Sequence, residues 1–262
     1  MSSRETVGKT FLVAGVLCVV CSILVSVAAV GLRPIQQKNK ALDKKRNILA
    51  AAGLMSEGAD IEAVFAEKIR VRAVDLTSGQ YAEGLEVATY DQRKAAKDPE
   101  QNREIPGAKD WARIKRQAKI ASVYEVVDGS GALQQVILPM HGKGLWSTMY
   151  GFMAIDADMK TVVGLGFYEH AETPGLGGEV DNPKWKATWK GKKLYDDSWK
   201  LAVKVLKGQV DKSSPKAVHQ VDGLSGATLT TNGVDALVRF WLGTEGFEKY
   251  LVNIRQRGNT NG

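Results

Sequence analysis

The sequence predicts an α+β protein, in which a single N-terminal transmembrane helix precedes a mixed sheet-and-helix domain. Three observations carry that expectation. Residues 11–32 hold no charged side chain and are rich in Val, Leu, Ala and Ile. The stretch 69–168 breaks into short apolar or alternating runs separated by turn residues. Towards the C-terminus, Val234, Leu237, Val238 and Trp241 recur at i, i+3, i+4 and i+7, which places them on one helix face.

A length of 262 residues allows one large domain or two small ones. The expected divisions are an N-terminal tail at 1–10, a transmembrane anchor at 11–32, a helical linker at 33–60, a folded domain at 61–257 and a disordered tail at 258–262. About 20 apolar residues cross a bilayer core at 1.5 Å each, and the run from Phe11 to Leu32 is long enough. A cleaved signal peptide is the rival reading, with Ser26-Val27-Ala28 as its cleavage site. The run exceeds an h-region of roughly 7–15 residues, which favours a retained anchor in contact with membrane lipid.

The formal charge of +7 is concentrated at one end. Residues 1–46 carry eight basic side chains against Glu5 and Asp43, which leaves 28 basic and 27 acidic residues in the remainder. A body so close to neutral lacks the basic footprint of a nucleic-acid-binding protein, and no nucleic-acid partner is expected. The two cysteines, Cys18 and Cys21, both lie in the apolar run. They share a helix face, but a metal cluster ordinarily needs four ligands, and small apolar-tolerant residues are the simpler reading.

After the anchor, Pro34 to Ala51 reads as a helix continuing away from the membrane, and Ile61 to Glu67 as a second short helix. Ile69 to Val74 alternates apolar and charged residues as a half-buried strand does. Thr77 to Pro106 is polar and poor in large apolar residues, so it reads as a surface excursion. Ser122 to Val127 and Gln135 to Leu138 suggest a hairpin turned at Asp128-Gly129-Ser130-Gly131. The next stretch, His141-Gly142-Lys143-Gly144-Leu145-Trp146, has two readings. Either its glycines let the backbone approach a ligand and Trp146 lies against an aromatic ring, or it is a tight turn with a core Trp.

Gly151 to Ile155 and Thr161 to Tyr168 form a further expected strand pair, and Asn182 to Trp189 a short helix with Trp185 and Trp189 as packing residues. Trp199 to Leu206 and Ala217 to Val221 read as strands, and Glu245 to Ile254 as a closing helix. Between Val221 and the helix that carries Trp241 lies Asp222-Gly223-Leu224-Ser225-Gly226-Ala227-Thr228-Leu229-Thr230-Thr231-Asn232-Gly233. Thr230, Thr231 and Asn232 are residue types that cap exposed helix N–H groups. A helix start offers unpaired donors and partial positive charge, both suited to a phosphate, with the Thr228 hydroxyl just ahead of it.

The order Asp-x-x-Ser-Gly-Ala-Thr resembles the flavinylation motif of an FMN-binding family of membrane respiratory subunits. A second stretch, His170-Ala171-Glu172-Thr173-Pro174-Gly175-Leu176-Gly177, is similar to the same family and precedes the first in the expected order. The resemblance implies FMN held covalently by a phosphoester bond to Thr228, with Asp222, Ser225, Gly226 and Ala227 completing the motif. It further implies cofactor contacts from Thr173, Leu176, Gly177, Glu172 and Trp146. Pro174 and the neighbouring glycines suit a stiff turn whose N–H groups meet the polar edge of a ring while Leu176 lies flat against it. His170 and Glu172 read as a structural hydrogen-bonding pair, since nothing nearby completes a metal site.

The resemblance covers nearly the whole chain. Members serve as subunits of the sodium-translocating NADH:quinone oxidoreductase, or Nqr complex, and of the Rnf electron-transport complex. The length and the 77–106 excursion favour the Nqr type. The resemblance implies a single-electron relay from an iron–sulfur centre to another flavin subunit, inside a multi-subunit membrane complex that exports sodium and reduces ubiquinone elsewhere. A flavin transferase is the implied maturation partner, because no His or Lys adjoins Thr228 to activate its hydroxyl. The implied location is the bacterial cell inner membrane with the flavin domain on the periplasmic side. The basic residues flanking the anchor favour the opposite orientation by the positive-inside rule.

The chain has no dinucleotide-binding glycine fingerprint and no charged residue in its membrane span, so it is expected neither to bind NADH nor to conduct sodium. Two other classes compete. A membrane-anchored binding or scaffold module would use the glycine-rich loops as partner contacts, and a flavin-dependent reductase would need an acid/base cluster that the sequence does not display.

Overall fold

The computed structural model describes residues 7–260. It contains two compact units, one ending at Asp43 and the other beginning at Lys44. Helix α1 (Val7–Ala51) supplies the whole described part of the first. An 18-residue window of that helix has a mean hydropathy of 2.8 and no buried residue, so it is long and apolar enough to cross a membrane. It starts at Val7, inside the expected tail, and residues 1–6 of that tail lie outside the described residues. Pro34 is accommodated within the helix just after the uncharged run.

In the second unit the end of α1 leads through α2 (Ile61–Lys68) into strand β1 (Ile69–Asp75). Asp60 caps α2 by accepting from the N–H groups of Glu62 and Ala63. The expected excursion holds a one-turn helix α3 (Gln92–Ala95) and strand β2 (Asn102–Glu104), which pairs with β3 (Arg116–Ala118). It is not purely superficial. Ala95, Asn102 and Ile105 are buried.

Strands β4 (Ile120–Val127), β5 (Leu133–Lys143), β6 (Thr148–Asp156) and β7 (Val162–Glu169) join β1 in one antiparallel sheet of order β1-β4-β5-β6-β7. The β4–β5 turn is the expected one, with Asp128 accepting from Ser130 and Ala132 and Gly131 at φ 85°. Side chains alternate between two cores, as a period of two requires. Ala121, Val123, Val136, Leu138, Met153 and Ile155 face one, while Tyr124, Val126, Ile137, Phe152 and Ala154 face the other.

The second core is closed by Ile48, Leu49, Ala51 and Ala52 at the end of α1, with Phe65 of α2 edge-on to Tyr124. The first is closed by two helices. These are α5 (Thr228–Leu242), which buries Val234, Leu237, Val238 and Trp241 as their spacing predicts, and α6 (Glu248–Thr260), with Tyr250 and Leu251. Between β7 and α5 lie α4 (Pro183–Ala187), β8 (Lys204–Val205) and β9 (Gln220–Val221), the last two paired in parallel. Trp185 and Trp189 are buried against each other, edge to face.

Three segments differ from expectation. Trp199 begins no strand. Its φ is 60°, and it sits in a turn that Asp196 holds by accepting from Ser198 and Lys200, so the strand shrinks to Lys204–Val205. Of Ala217 to Val221 only Gln220–Val221 is strand, because Pro215 and the Ser214 cap start a 3-10 turn that runs to His219. Helix α6 continues through Thr260, into the segment expected as a disordered tail, whose residues 261–262 lie outside the described residues.

Candidate functional site

The turn before α5 is fixed from several sides. Asp222 accepts the Val210 N–H on its carboxylate at 2.6 Å and the Trp185 indole N–H on its carbonyl at 2.8 Å. Gly223 passes so close to the chain at Leu206 that a Cβ there would stand 2.2 Å from the Leu206 carbonyl oxygen. Gly226 has φ +71°, a conformation L side chains resist. Ala227, half-extended and buried, precedes the first helical residue.

That first residue is Thr228, and its side chain is exposed. No side chain caps the helix. The first N–H groups of α5 therefore lack an intrahelical acceptor and carry the partial positive charge of the helix end. The expected caps do something else. Thr230 and Thr231 are buried, and only Asn232 is exposed. The helix starts at Thr228, ahead of all three expected caps, and this places both threonines inside its first turns, facing inward. Thr231 Oγ1 accepts the Leu224 N–H at 3.0 Å, while Thr230 Oγ1 donates to Glu172 Oε2 at 2.6 Å.

Glu172 joins three parts of the chain. Residues 144–147 are the hairpin loop between β5 and β6, whose pairing ends at Lys143 opposite Thr148. Three successive N–H groups of this loop point at the Glu172 carboxylate: Leu145 at 3.2 Å, Trp146 at 3.0 Å and Ser147 at 3.2 Å. Two glycines make room for the arrangement. A Cβ on Gly144 would lie 2.5 Å from Glu172 Oε1, and one on Gly177 would lie 2.5 Å from Thr230 Oγ1. Gly233 on α5 likewise approaches Lys143, where a Cβ would be 2.6 Å from the carbonyl oxygen.

Burial raises the Glu172 pKa, but bonds from Thr230 and the three loop N–H groups outweigh it and hold the carboxyl below its ordinary range. The group is thus an ionised, buried acceptor. His170 does not pair with that carboxylate. Its Nδ1 accepts the backbone N–H of Glu172 at 3.2 Å and its Nε2 stands 2.8 Å from Asp181 Oδ2, so the expected pairing runs through the backbone instead. Among the described residues no group of three or more His, Cys, Asp or Glu is placed to hold a metal.

The loops that meet here expose large apolar side chains. Leu145, Trp146, Leu176 and Leu229 are all exposed, Trp146 by 65%. Of the two readings of 141–146, a tight turn with a core Trp is overturned. His141 to Lys143 are strand, and the indole stands out from the loop that follows. Leu176 Cδ2 is 3.2 Å from where a Cβ on Gly226 would be, which joins the two glycine-rich motifs directly. Thr173 is exposed, and its carbonyl accepts from Leu176 and Gly178 to close the turn at Pro174-Gly175.

Asp222, Ser225, Gly226, Ala227, Thr228, Glu172, Thr173, Leu176 and Gly177 therefore meet in one place, with Trp146 on the adjoining loop. Asp222 serves the base of the turn, and Ser225 is exposed at its tip. Sequence reasoning missed Thr230, whose position reads equally well as a cap, and Gly233, which has no local turn to mark it. The donor set suits FMN. An uncapped helix start fits a phosphate, a free threonine hydroxyl lies beside it, and exposed Leu and Trp side chains fit an isoalloxazine face.

Comparison with known proteins agrees with this geometry. Residues 144–243 match the FMN-binding domain family. The chain is 52% identical to NqrC of the Na(+)-translocating NADH-quinone reductase of Pseudomonas aeruginosa, over 98% of this chain and 99% of that one. It is 48% identical to the corresponding NqrC of Vibrio vulnificus, over 98% and 99%. Among solved structures, NqrC of Shewanella oneidensis aligns with a TM-score of 0.76 at 38% identity, covering 83% of this chain and 99% of that one. NqrC of Parabacteroides distasonis aligns with a TM-score of 0.64 at 29% identity, covering 84% and 96%. With that identity along almost its full length, and with the flavin-suited turn in place, the chain belongs to the NqrC family of the Na(+)-translocating NADH-quinone reductase.

Proposed function

We propose that this electron-carrying flavin subunit holds its FMN through a phosphoester bond to Thr228. The observation that carries the reading is the exposed Thr228 hydroxyl at the first residue of an uncapped helix, one step after the left-handed Gly226 and its neighbour Ala227. In the attachment, Thr228 Oγ1 bonds to the FMN-side phosphorus of FAD. The pyrophosphate bond breaks, AMP leaves, and the hydroxyl proton passes to a base on a flavin transferase.

The chain's own residues would then orient the group. The first N–H groups of α5 would hold its phosphate, with Asp222 and Gly223 setting the turn from below and Ser225, Gly226 and Ala227 leaving room at its tip. Leu176 and Trp146, both exposed, would offer the ring apolar contact, and the turn of Thr173 and Gly177 would lie beside it. When bound, FMN supplies one-electron redox chemistry. The subunit would relay single electrons from an iron–sulfur centre to another flavin subunit, while sodium export and ubiquinone reduction occur elsewhere in the complex.

Helix α1 would anchor the chain in lipid over residues 11–32, with 61–257 forming the flavin domain on the periplasmic side. A covalent tether suits that compartment, where a dissociated flavin would be diluted beyond recovery. The test is the Thr228→Val variant, expressed beside a flavin transferase. It should fold as the parent does and show no flavin fluorescence after denaturing electrophoresis. Fluorescence that survives in the variant would refute the assignment and move the attachment elsewhere.

A further inference from the structure

Glu172 occupies a place in the site that a ligand-contact role does not explain. A carboxylate has about four acceptor positions, two on each oxygen. Here all four are taken by the protein: Oε1 accepts from Trp146 and Ser147, and Oε2 from Leu145 and Thr230. The residue is only 5% exposed, and the two glycines that approach it, Gly144 and Gly177, close the remaining space. Nothing on this carboxylate is left to meet a cofactor.

Its bonds instead reach the two elements that must face a flavin together. One is the hairpin loop that displays Trp146, gripped at the N–H of that residue and of both its neighbours. The loop is also held from outside the carboxylate, because Gly144 donates to the Ser147 carbonyl and the Ala171 N–H donates to Ser147 Oγ, each at 2.8 Å. The other is the first turn of α5, gripped at Thr230, two residues after Thr228. A hydrogen bond to an ionised group contributes more than a neutral one, and four on one buried carboxylate resist piecemeal loosening.

We infer that Glu172 is a positioning residue, a buried anionic clamp that fixes the Trp146 loop against the Thr228 turn before any flavin is attached. The inference rests on the reading of Thr228 as the flavin carrier for its functional meaning, but the clamp itself is a property of the flavin-free chain. Its consequence is a preset separation between the attachment hydroxyl and the exposed indole. It also explains why Gly144 and Gly177 are glycines, since any side chain at either would displace the Glu172–Thr230 pair.

The experiment is amide hydrogen exchange on the full-length, flavin-free protein in detergent, comparing wild type with Glu172→Gln, Thr230→Val and Thr230→Ser. Gln keeps one acceptor oxygen and turns an NH2 group towards donors. Exchange at residues 145–147 should then speed up by roughly tenfold or more. Thr230→Val should speed exchange at Thr231, whose N–H is bonded to the Ala227 carbonyl, while leaving the sheet strands protected, and Thr230→Ser should restore it. In flavin-loaded protein, Glu172→Gln should keep its covalent adduct but show altered visible circular dichroism. Unchanged exchange and unchanged dichroism in Glu172→Gln and Thr230→Val would overturn the clamp. If Glu172→Gln fails to fold, the Val and Ser variants at 230 decide the matter by the same readouts. Failure of the wild type to take up flavin would count against the carrier reading alone, because the exchange measurements need none.

Discussion

Thr230 and Glu172 are 58 positions apart in sequence and 2.6 Å apart in space, joined by a hydroxyl-to-carboxylate bond that both residues bury. That bond brings the two glycine-rich motifs into one site. One motif supplies the hydroxyl that would carry the flavin, the other the carboxylate that grips the loop that would face it, and the pair sets their relation.

Gly177→Ala places a methyl group 2.5 Å from Thr230 Oγ1 and 2.9 Å from Glu172 Oε2. Neither partner can retreat without breaking the pair, so the variant should lose about 1–3 kcal/mol of stability by overpacking. Chemical denaturation checks this, with covalent flavin uptake falling in the same variant. Full stability in the variant would show that the contact relaxes freely.

Ser225 and Gly226 should behave oppositely. Ser225 is exposed at the tip of the turn, so Ser225→Ala should alter stability by less than about 0.5 kcal/mol. Gly226→Ala must adopt φ +71° and press on Leu176 Cδ2 at 3.2 Å, at a cost of about 1–2 kcal/mol. Parallel melting curves separate the two, and equal effects would contradict the strained turn.

His141 makes the fold sensitive to mild acid. Its ring stacks on Tyr150 at 5.3 Å and tilts against Trp241 at 5.0 Å, and burial, followed by the nearby Arg93 charge, pushes its pKa down to about 4. The unfolded chain therefore binds a proton at higher pH than the folded one. The stability this residue confers is fully present above its unfolded pKa of about 6.5 and is lost progressively as pH falls towards 4. Melting temperature against pH should fall less steeply in His141→Phe than in wild type across that window. Parallel curves would show that His141 is not held neutral.

Much of this was legible in the sequence because it is local. An uncharged run of 22 residues, an alternating strand and an i, i+3, i+4, i+7 face each declare themselves within a few turns of chain. The motif turn is local as well, although only the structure shows that Gly226 takes a left-handed conformation within it. What could not be read is the partner of a side chain distant in sequence. Thr230 and Thr231 have the chemistry of helix caps, and only the helix start at Thr228 shows that they face the core. Glu172 next to a histidine suggests a pair, yet its carboxylate is taken by a hairpin loop more than 20 residues earlier. The strands at 204–205 and 220–221 are shorter than their composition suggests because Asp196, Ser214 and Pro215 impose turns that override it.

The central claim is that Thr228 carries the flavin, and peptide mass spectrometry on the full-length protein, expressed with and without a flavin transferase, tests it most directly. The account predicts an added FMN phosphoester on the peptide containing Thr228, fragmenting at that residue and present only with the transferase. An unmodified Thr228 peptide, in cells where the same transferase flavinylates another substrate, would contradict it.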